Sequence, residues 1–125
     1  KIKNKKISFL GVTFKANTDD MRDSSSLKLI PYLSRRGAQI KYYDPTGFKK
    51  EFKKNKQLKF ERNLNKACYG ADLIIINTEW DEFKNYDWQL IFNIMQKPAF
   101  VFDGRNILNQ EALEKIGFVY KGIGS

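Results

Sequence analysis

Several short runs in this chain are too uniformly apolar to have a wet side, and they limit its possible folds more than any other feature. Ile7 to Phe14, the centre of Asp72 to Asn77, and Ala99 to Phe102 are nearly unbroken stretches of β-branched or aromatic residues. Strands of that kind are buried on both faces, as in parallel sheets covered by helices. The segments between them carry a helical period. After the hydroxyls of Ser24, Ser25 and Ser26, which suit a helix start, Leu27, Ile30 and Leu33 recur every three residues and Gly37 supplies a stop, with a bend expected at Pro31. Trp88, Ile91, Phe92 and Met95 fall at i, i+3, i+4 and i+7, a core stripe that Pro98 ends. Ala38, Ile40 and Tyr42 alternate with polar residues up to Asp44-Pro45 and read as a second strand.

Weaker signals complete the pattern. They are a lysine-rich helix near Phe48 to Lys54, a strand at Leu58 to Phe60, a short helix from Leu64 to Tyr69 closed by Gly70, a helix capped by Asn109 and stopped by Gly117, and a last strand at Phe118 to Tyr120. Strands alternating with helices at this spacing imply right-handed βαβ units. The expectation is an α/β fold, a Rossmann-like doubly wound parallel sheet of five to six strands with helices on both faces, forming a single domain over residues 1–125.

No apolar run approaches the roughly 20 residues needed to cross a bilayer, and no signal peptide is recognisable. With no histidine and one cysteine, Cys68, the chain has no zinc set, no imidazole for a triad and no internal disulfide. A reducing cytoplasm fits that composition. Cys68 has no motif around it and reads as a buried small side chain. The first methionine is Met21, from which a fragment of something longer is expected.

The net charge of +9 is concentrated in two places, +4 in residues 1–6 and +6 in residues 49–66, while the rest of the chain sums to −1. Both segments are lysine-dominated with few aromatics interleaved, whereas a single-strand binder sets a stacking platform beside its cations. A solvated face is therefore expected rather than a nucleic-acid partner.

Ligands of open α/β sheets bind beyond the carboxyl ends of the strands. The loops there hold Lys15 and Arg22 after the first strand, Asp44 after the second, Thr78-Glu79-Trp80 after the fourth and Asp103-Gly104-Arg105-Asn106 after the fifth. Lys15, Arg22 and Arg105 can converge on an anionic ligand such as a diphosphate. The plainer expectation for each is a surface ion pair, Asp20 with Arg22 and Asp103 with Arg105. Of the G-x-G-x-x-G fingerprint only Gly11 is present, because Thr13 and Ala16 hold the other two positions. The chain should therefore lack a pyrophosphate cradle of its own.

The same loops resemble the C-terminal, UDP-binding domain of the UDP-glucose/GDP-mannose dehydrogenase family. The residues are Gly11 to Lys15 (GVTFK), Asn17 to Ser24 (NTDDMRDS), Tyr43 to Pro45, Asn77 to Trp80 (NTEW), Phe102 to Ile107 (FDGRNI) and Gly117 to Gly124 (GFVYKGIG), in order along the whole chain. The resemblance implies an oxidoreductase that converts the primary alcohol of a nucleotide-linked hexose to a carboxylate, reducing two NAD+ by way of a thiohemiacetal on a cysteine. It implies that NAD is bound mainly by an N-terminal domain and that the nucleophile precedes a long central helix, neither being in this sequence. The chain alone should be inactive, with no catalytic residue and no metal. Phe14, Lys15 and Arg105 correspond to residues that contact the nucleotide sugar, and Arg22 to one that reaches the NAD. The implied partners are a UDP-sugar and the NAD-binding domain and central helix of the same protein, in a homo-oligomer without nucleic acid or membrane. The T-E-W and D-G-R-N pairs favour UDP-glucose over GDP-mannose or N-acetylated UDP-hexoses. Ser25 stands where many members carry proline, a change expected to alter the helix start rather than the site. A phosphoacceptor signalling domain of similar length is the rival, but it needs an aspartate ending the third strand and a lysine ending the fifth. Phe60-Glu61 and Asp103-Gly104-Arg105 supply neither.

Overall fold

Six strands pair in parallel throughout, in the order β3-β2-β1-β4-β5-β6. The computed structural model describes residues 2–123; Lys1, Gly124 and Ser125 lie outside them. The strands are β1 (Lys6–Leu10), β2 (Gln39–Tyr43), β3 (Leu58–Phe60), β4 (Leu73–Ile76), β5 (Phe100–Asp103) and β6 (Val119–Gly122). The helices are α1 (Ser26–Arg35), α2 (Leu64–Cys68), α3 (Asp81–Lys84), α4 (Trp88–Ile94) and α5 (Gln110–Ile116). This is the Rossmann strand order, and it differs from the 2-1-3-4-5 order of flavodoxin-like signalling domains. The rival reading therefore fails on topology as well as on residues.

Successive residues of each strand feed opposite layers, as a pleat of period two requires. Phe9, Ile40, Tyr42 and Ile75 pack with Ile30 and Leu33 of α1 and with Phe52 of a short 3-10 turn. Leu10, Ile74, Ile76 and Val101 pack on the other side with residues of α2, α3, α4 and α5. Helices cover both faces, but unevenly. On the α1 side the outer strands stay partly bare, with Phe100 42% and Val119 48% exposed.

Three local expectations need correction. β1 stops at Leu10 rather than Phe14, because Gly11 takes φ +83° and turns the chain while Val12 and Thr13 stay buried. The lysine-rich helix shrinks to the 3-10 turn Lys50–Phe52, anchored by buried Phe52, since clustered like charges oppose a longer helix. α3 is an element that the periodicity does not reveal; its four residues turn Phe83 fully into the core. Among the described residues no helix is long and apolar enough to cross a membrane.

Candidate functional site at the carboxyl edge

The turn at Gly11 sets the floor of the site. A Cβ there would lie 2.5 Å from Thr78 Cβ, so this glycine serves close packing between the ends of β1 and β4 and not a phosphate. Thr78 Oγ1 donates to Thr13 O at 3.0 Å and joins the same two loops. The polar groups at the start of α1 are already partnered within the chain. Ser24 and Ser26 both donate from Oγ to Val12 O, Ser26 N donates to Ser24 Oγ, and Leu27 N and Leu29 N are satisfied by Ser24 O and Ser25 O. With Thr13 buried where the fingerprint has glycine, these residues do not fit the pyrophosphate of NAD. The expected absence of a cradle follows from occupied amides as much as from missing glycines.

The serines are not simple caps. Ser25, the N-cap residue, makes no side-chain capping bond. Its hydroxyl donates instead to Asn77 Oδ1 at 2.9 Å, across 52 positions. The residue at position 25 therefore does touch the wall of the site, contrary to the sequence expectation.

Two buried aspartates shape the loops. Asp44 accepts from Val12 N (2.8 Å), Thr46 N (2.9 Å) and Thr46 Oγ1 (2.6 Å), which holds the turn after β2 against the β1 loop. Asp103, fully buried, accepts from Arg105 N (3.2 Å), Leu108 N (2.8 Å) and the Tyr120 hydroxyl (2.8 Å). Burial and this carboxylate together push Tyr120 up to about 12. Asp103 is thus an internal clamp, not the surface ion-pair partner of Arg105 that the sequence suggests. Burial is a property of distant chain segments, and adjacency in sequence does not report it.

Arg105 reaches instead across the sheet. Its Nε donates to Asn77 O at 3.1 Å, its Nη2 to Phe14 O at 2.8 Å, and its Nη1 lies 3.5 Å from Glu79 Oε1. One planar fork therefore ties the ends of β5, β4 and β1 together, with 37% of the side chain exposed. Phe14 is 42% exposed beside it. Phe14 N donates to Asp20 O at 2.8 Å and folds the loop back. Asp20 grips Arg22 through Nε (3.0 Å) and Nη2 (2.8 Å), the ion pair expected. The Arg22 hydrogen bonds hold the Asp20 carboxyl down to about 2, with a smaller contribution from the charge of Lys15. Phe14, Lys15, Arg22 and Arg105 thus share one loop cluster at the carboxyl edge.

A cavity of about 330 Å³ opens beside Ser25, Asn77, Gly104 and Arg105. Among the described residues Asn77 Nδ2 and Trp80 Nε1 are buried donors with no protein partner; the sequence marks both within its N-T-E-W run but gives neither a binding role. Cys68 is fully buried, and that burial pushes its thiol far up. Among the described residues no group of acids and cysteine could hold a metal.

Residues 8–110 match the UDP-glucose/GDP-mannose dehydrogenase family, UDP binding domain. The UDP-glucose 6-dehydrogenase of Rickettsia prowazekii is 40% identical over 99% of this chain and 29% of its own length. UDP-glucose 6-dehydrogenase 4 of Arabidopsis thaliana is 35% identical over 98% of this chain and 30% of its own. Among solved structures, a UDP-D-ManNAc dehydrogenase from Pyrococcus horikoshii superposes with a TM-score of 0.79 at 31% identity, covering 99% of this chain and 26% of that one. The chain spans less than a third of the curated relatives it matches.

Proposed function

This chain belongs to the UDP-glucose/GDP-mannose dehydrogenase family through its UDP-binding domain, and from that premise we propose that it is the nucleotide-sugar-binding part of an NAD-dependent UDP-glucose 6-dehydrogenase. The observation that carries the reading is the reach of Arg105 across three strand ends to the Phe14–Lys15 loop. That reach sets a planar cation, a lysine and an exposed aromatic at one edge. Arg105, its Nε and Nη2 already committed to Asn77 O and Phe14 O, turns its remaining charge on the diphosphate, Lys15 adds a point charge, and Phe14 offers its ring to the nucleoside. Asn77 Nδ2 is a donor within the same wall.

NAD supplies the hydride acceptor for oxidation of the sugar alcohol, held by a domain other than this one. We assign Arg22, on the outer part of the loop, the contact with it, a role that the family resemblance supports. The other partners are that NAD-binding domain and a central helix of the same polypeptide, in a homo-oligomer, and the compartment is the cytoplasm. The chain alone turns over no UDP-hexose.

The test is a pair of titrations on an enzyme carrying this chain as its UDP-binding domain. Arg105→Ala should weaken UDP-glucose by roughly tenfold to a hundredfold, the loss of a charge-assisted contact worth about 1.5–3 kcal/mol, with little change for NAD+. Arg22→Ala should act mainly on NAD+. Equal effects of both variants on both ligands would show that the arginines hold the domain together instead of dividing the ligands. Running UDP-ManNAc beside UDP-glucose settles which sugar is the substrate, and a preference for the N-acetylated sugar would refute the UDP-glucose assignment.

A further inference from the structure

Lysines from both basic segments come together at the opposite edge of the sheet. A cavity of about 720 Å³ opens there, more than twice the volume of the one beside Arg105. Lys6 comes from the first basic segment, Lys56 and Lys59 from the second, and Lys41 from β2 between them; no acidic residue lines the cavity. The sheet itself enforces the crowding. Ser8, Lys41 and Lys59 stand in register on three adjacent parallel strands, on the same face, and two like charges side by side in such a row repel. The acid nearest them is Glu61, 3.5 Å from Lys59 Nζ and 4.0 Å from Lys41 Nζ, one carboxylate shared by two ammonium groups. Lys41 also donates to Lys66 O at 3.1 Å, a helix-end contact that leaves Lys6, Lys56 and Lys59 as the cations facing solvent.

The floor is a different material. Ala67 and Ala71, both buried, supply its apolar part, Ile7 and Ile40 border it with their side chains turned to the α1 layer, and Tyr69 on the wall is 69% exposed. A concave site of this size, with an apolar floor, an accessible ring and cations on one rim, matches small-molecule sites in dimensions and make-up. We propose that the cavity between β1, β2, β3 and the end of α2 is a second anion site, taking a small ligand with two or more phosphate charges and a flat apolar body, as in a nucleoside diphosphate. It lies at the amino-terminal edge, away from Phe14, Lys15 and Arg105, so a ligand there is an effector and not the substrate.

The experiment follows the amide resonances of the full 125-residue chain during titration with inorganic pyrophosphate and, separately, with ADP. Saturable shifts at Ser8, Gly70 and Ala71 are expected with both, and tighter binding of ADP, because only ADP can use the apolar floor and Tyr69. Lys56→Gln with Lys59→Gln should weaken ADP by about tenfold; both side chains are exposed, so the fold is retained. Arg105→Ala should leave the shifts at Ser8, Gly70 and Ala71 and their midpoint unchanged, which separates this site from the nucleotide-sugar edge. Shifts confined to Gly104 and Arg105, shifts that never saturate, or an unaltered affinity in the double variant would overturn the proposal. So would a single-stranded RNA that binds this face more tightly than ADP with a steep salt dependence, since the lysines would then form a nucleic-acid track.

Discussion

The two edges of one sheet handle charge in opposite ways. At the carboxyl edge the ionic groups are fixed by backbone: Asp44 and Asp103 are buried acceptors of several donors each, and Arg105 spends its fork on two carbonyls. At the amino edge most of the charges are lysines on flexible stems, Glu61 lies between two of them, and Asp72 accepts from Lys6 N at 2.9 Å. The first arrangement presets geometry before a ligand arrives. The second produces a field with little shape, which suits attraction of charge more than discrimination among ligands. Chain direction explains the asymmetry: in a parallel sheet all the long loops that leave strands gather at one edge, and there they need internal acceptors to hold their amides.

Substitutions can break that contrast, and the largest effect should come from the carboxyl edge. Gly11→Ala forces a side chain into φ +83° and into contact with fully buried Thr78. It should cost about 3 kcal/mol or more, read as a chemical-denaturation midpoint. A variant as stable as the parent would mean that the β1–β4 junction is loose. Asp103→Ala comes next. It strands three donors, two of them backbone amides, and should cost roughly 2–3 kcal/mol, or on the order of 10 °C in Tm for a domain of this size. A shift of only a degree or two would remove the case for a preset edge.

The amino edge should behave otherwise. Lys59→Gln removes an exposed charge from a like-charged row and leaves Glu61 to Lys41. Its effect should stay within about 0.5 kcal/mol of zero and lean toward stabilisation. A loss comparable to that of Asp103→Ala would show that the lysine row is structural and that the two edges do not differ in kind.

The carboxyl edge was the more legible of the two in the sequence. The apolar runs give the parallel sheet because burial on both faces needs no partner to be recognised, and Asn109 and Gly117 cap α5 as expected, the Asn109 side chain accepting from Ala112 N at 3.0 Å. The convergence of Lys15, Arg22 and Arg105 follows from strand ends alone, and Phe14 joins them only through the family resemblance. What the sequence hides is non-local. Gly11 is demanded by Thr78, Ser25 speaks to Asn77, and the burial of Asp103 depends on Tyr120 and the turn to Leu108. The basic runs read as solvated surface, yet Lys49 among them is buried, its ammonium on Thr46 Oγ1 and its N–H on Tyr42. Only the parallel register of β2 and β3 reveals that Lys41 and Lys59 are neighbours.

The smallest effect sharpens the comparison, because it concerns an exposed pair at the otherwise buried edge. The Arg22 hydrogen bonds depress Asp20 from 3.8 to about 2. A carboxyl whose folded value is depressed adds stability that is fully present above its unfolded value and lost as pH falls through the folded one. Any contribution from this pair therefore disappears between about pH 4 and pH 2, and at neutral pH it is constant. Both groups lie at the surface, where solvent screens them, so the stability change across that window should be lost beneath that of the buried acids. The carboxyl resonance itself should still titrate near pH 2 in the parent and return toward 3.8 in Arg22→Ala. A parent midpoint already near 3.8 would mean that Arg22 swings free of Asp20, and the outer part of the loop would then belong with the flexible lysines of the other edge rather than with Arg105.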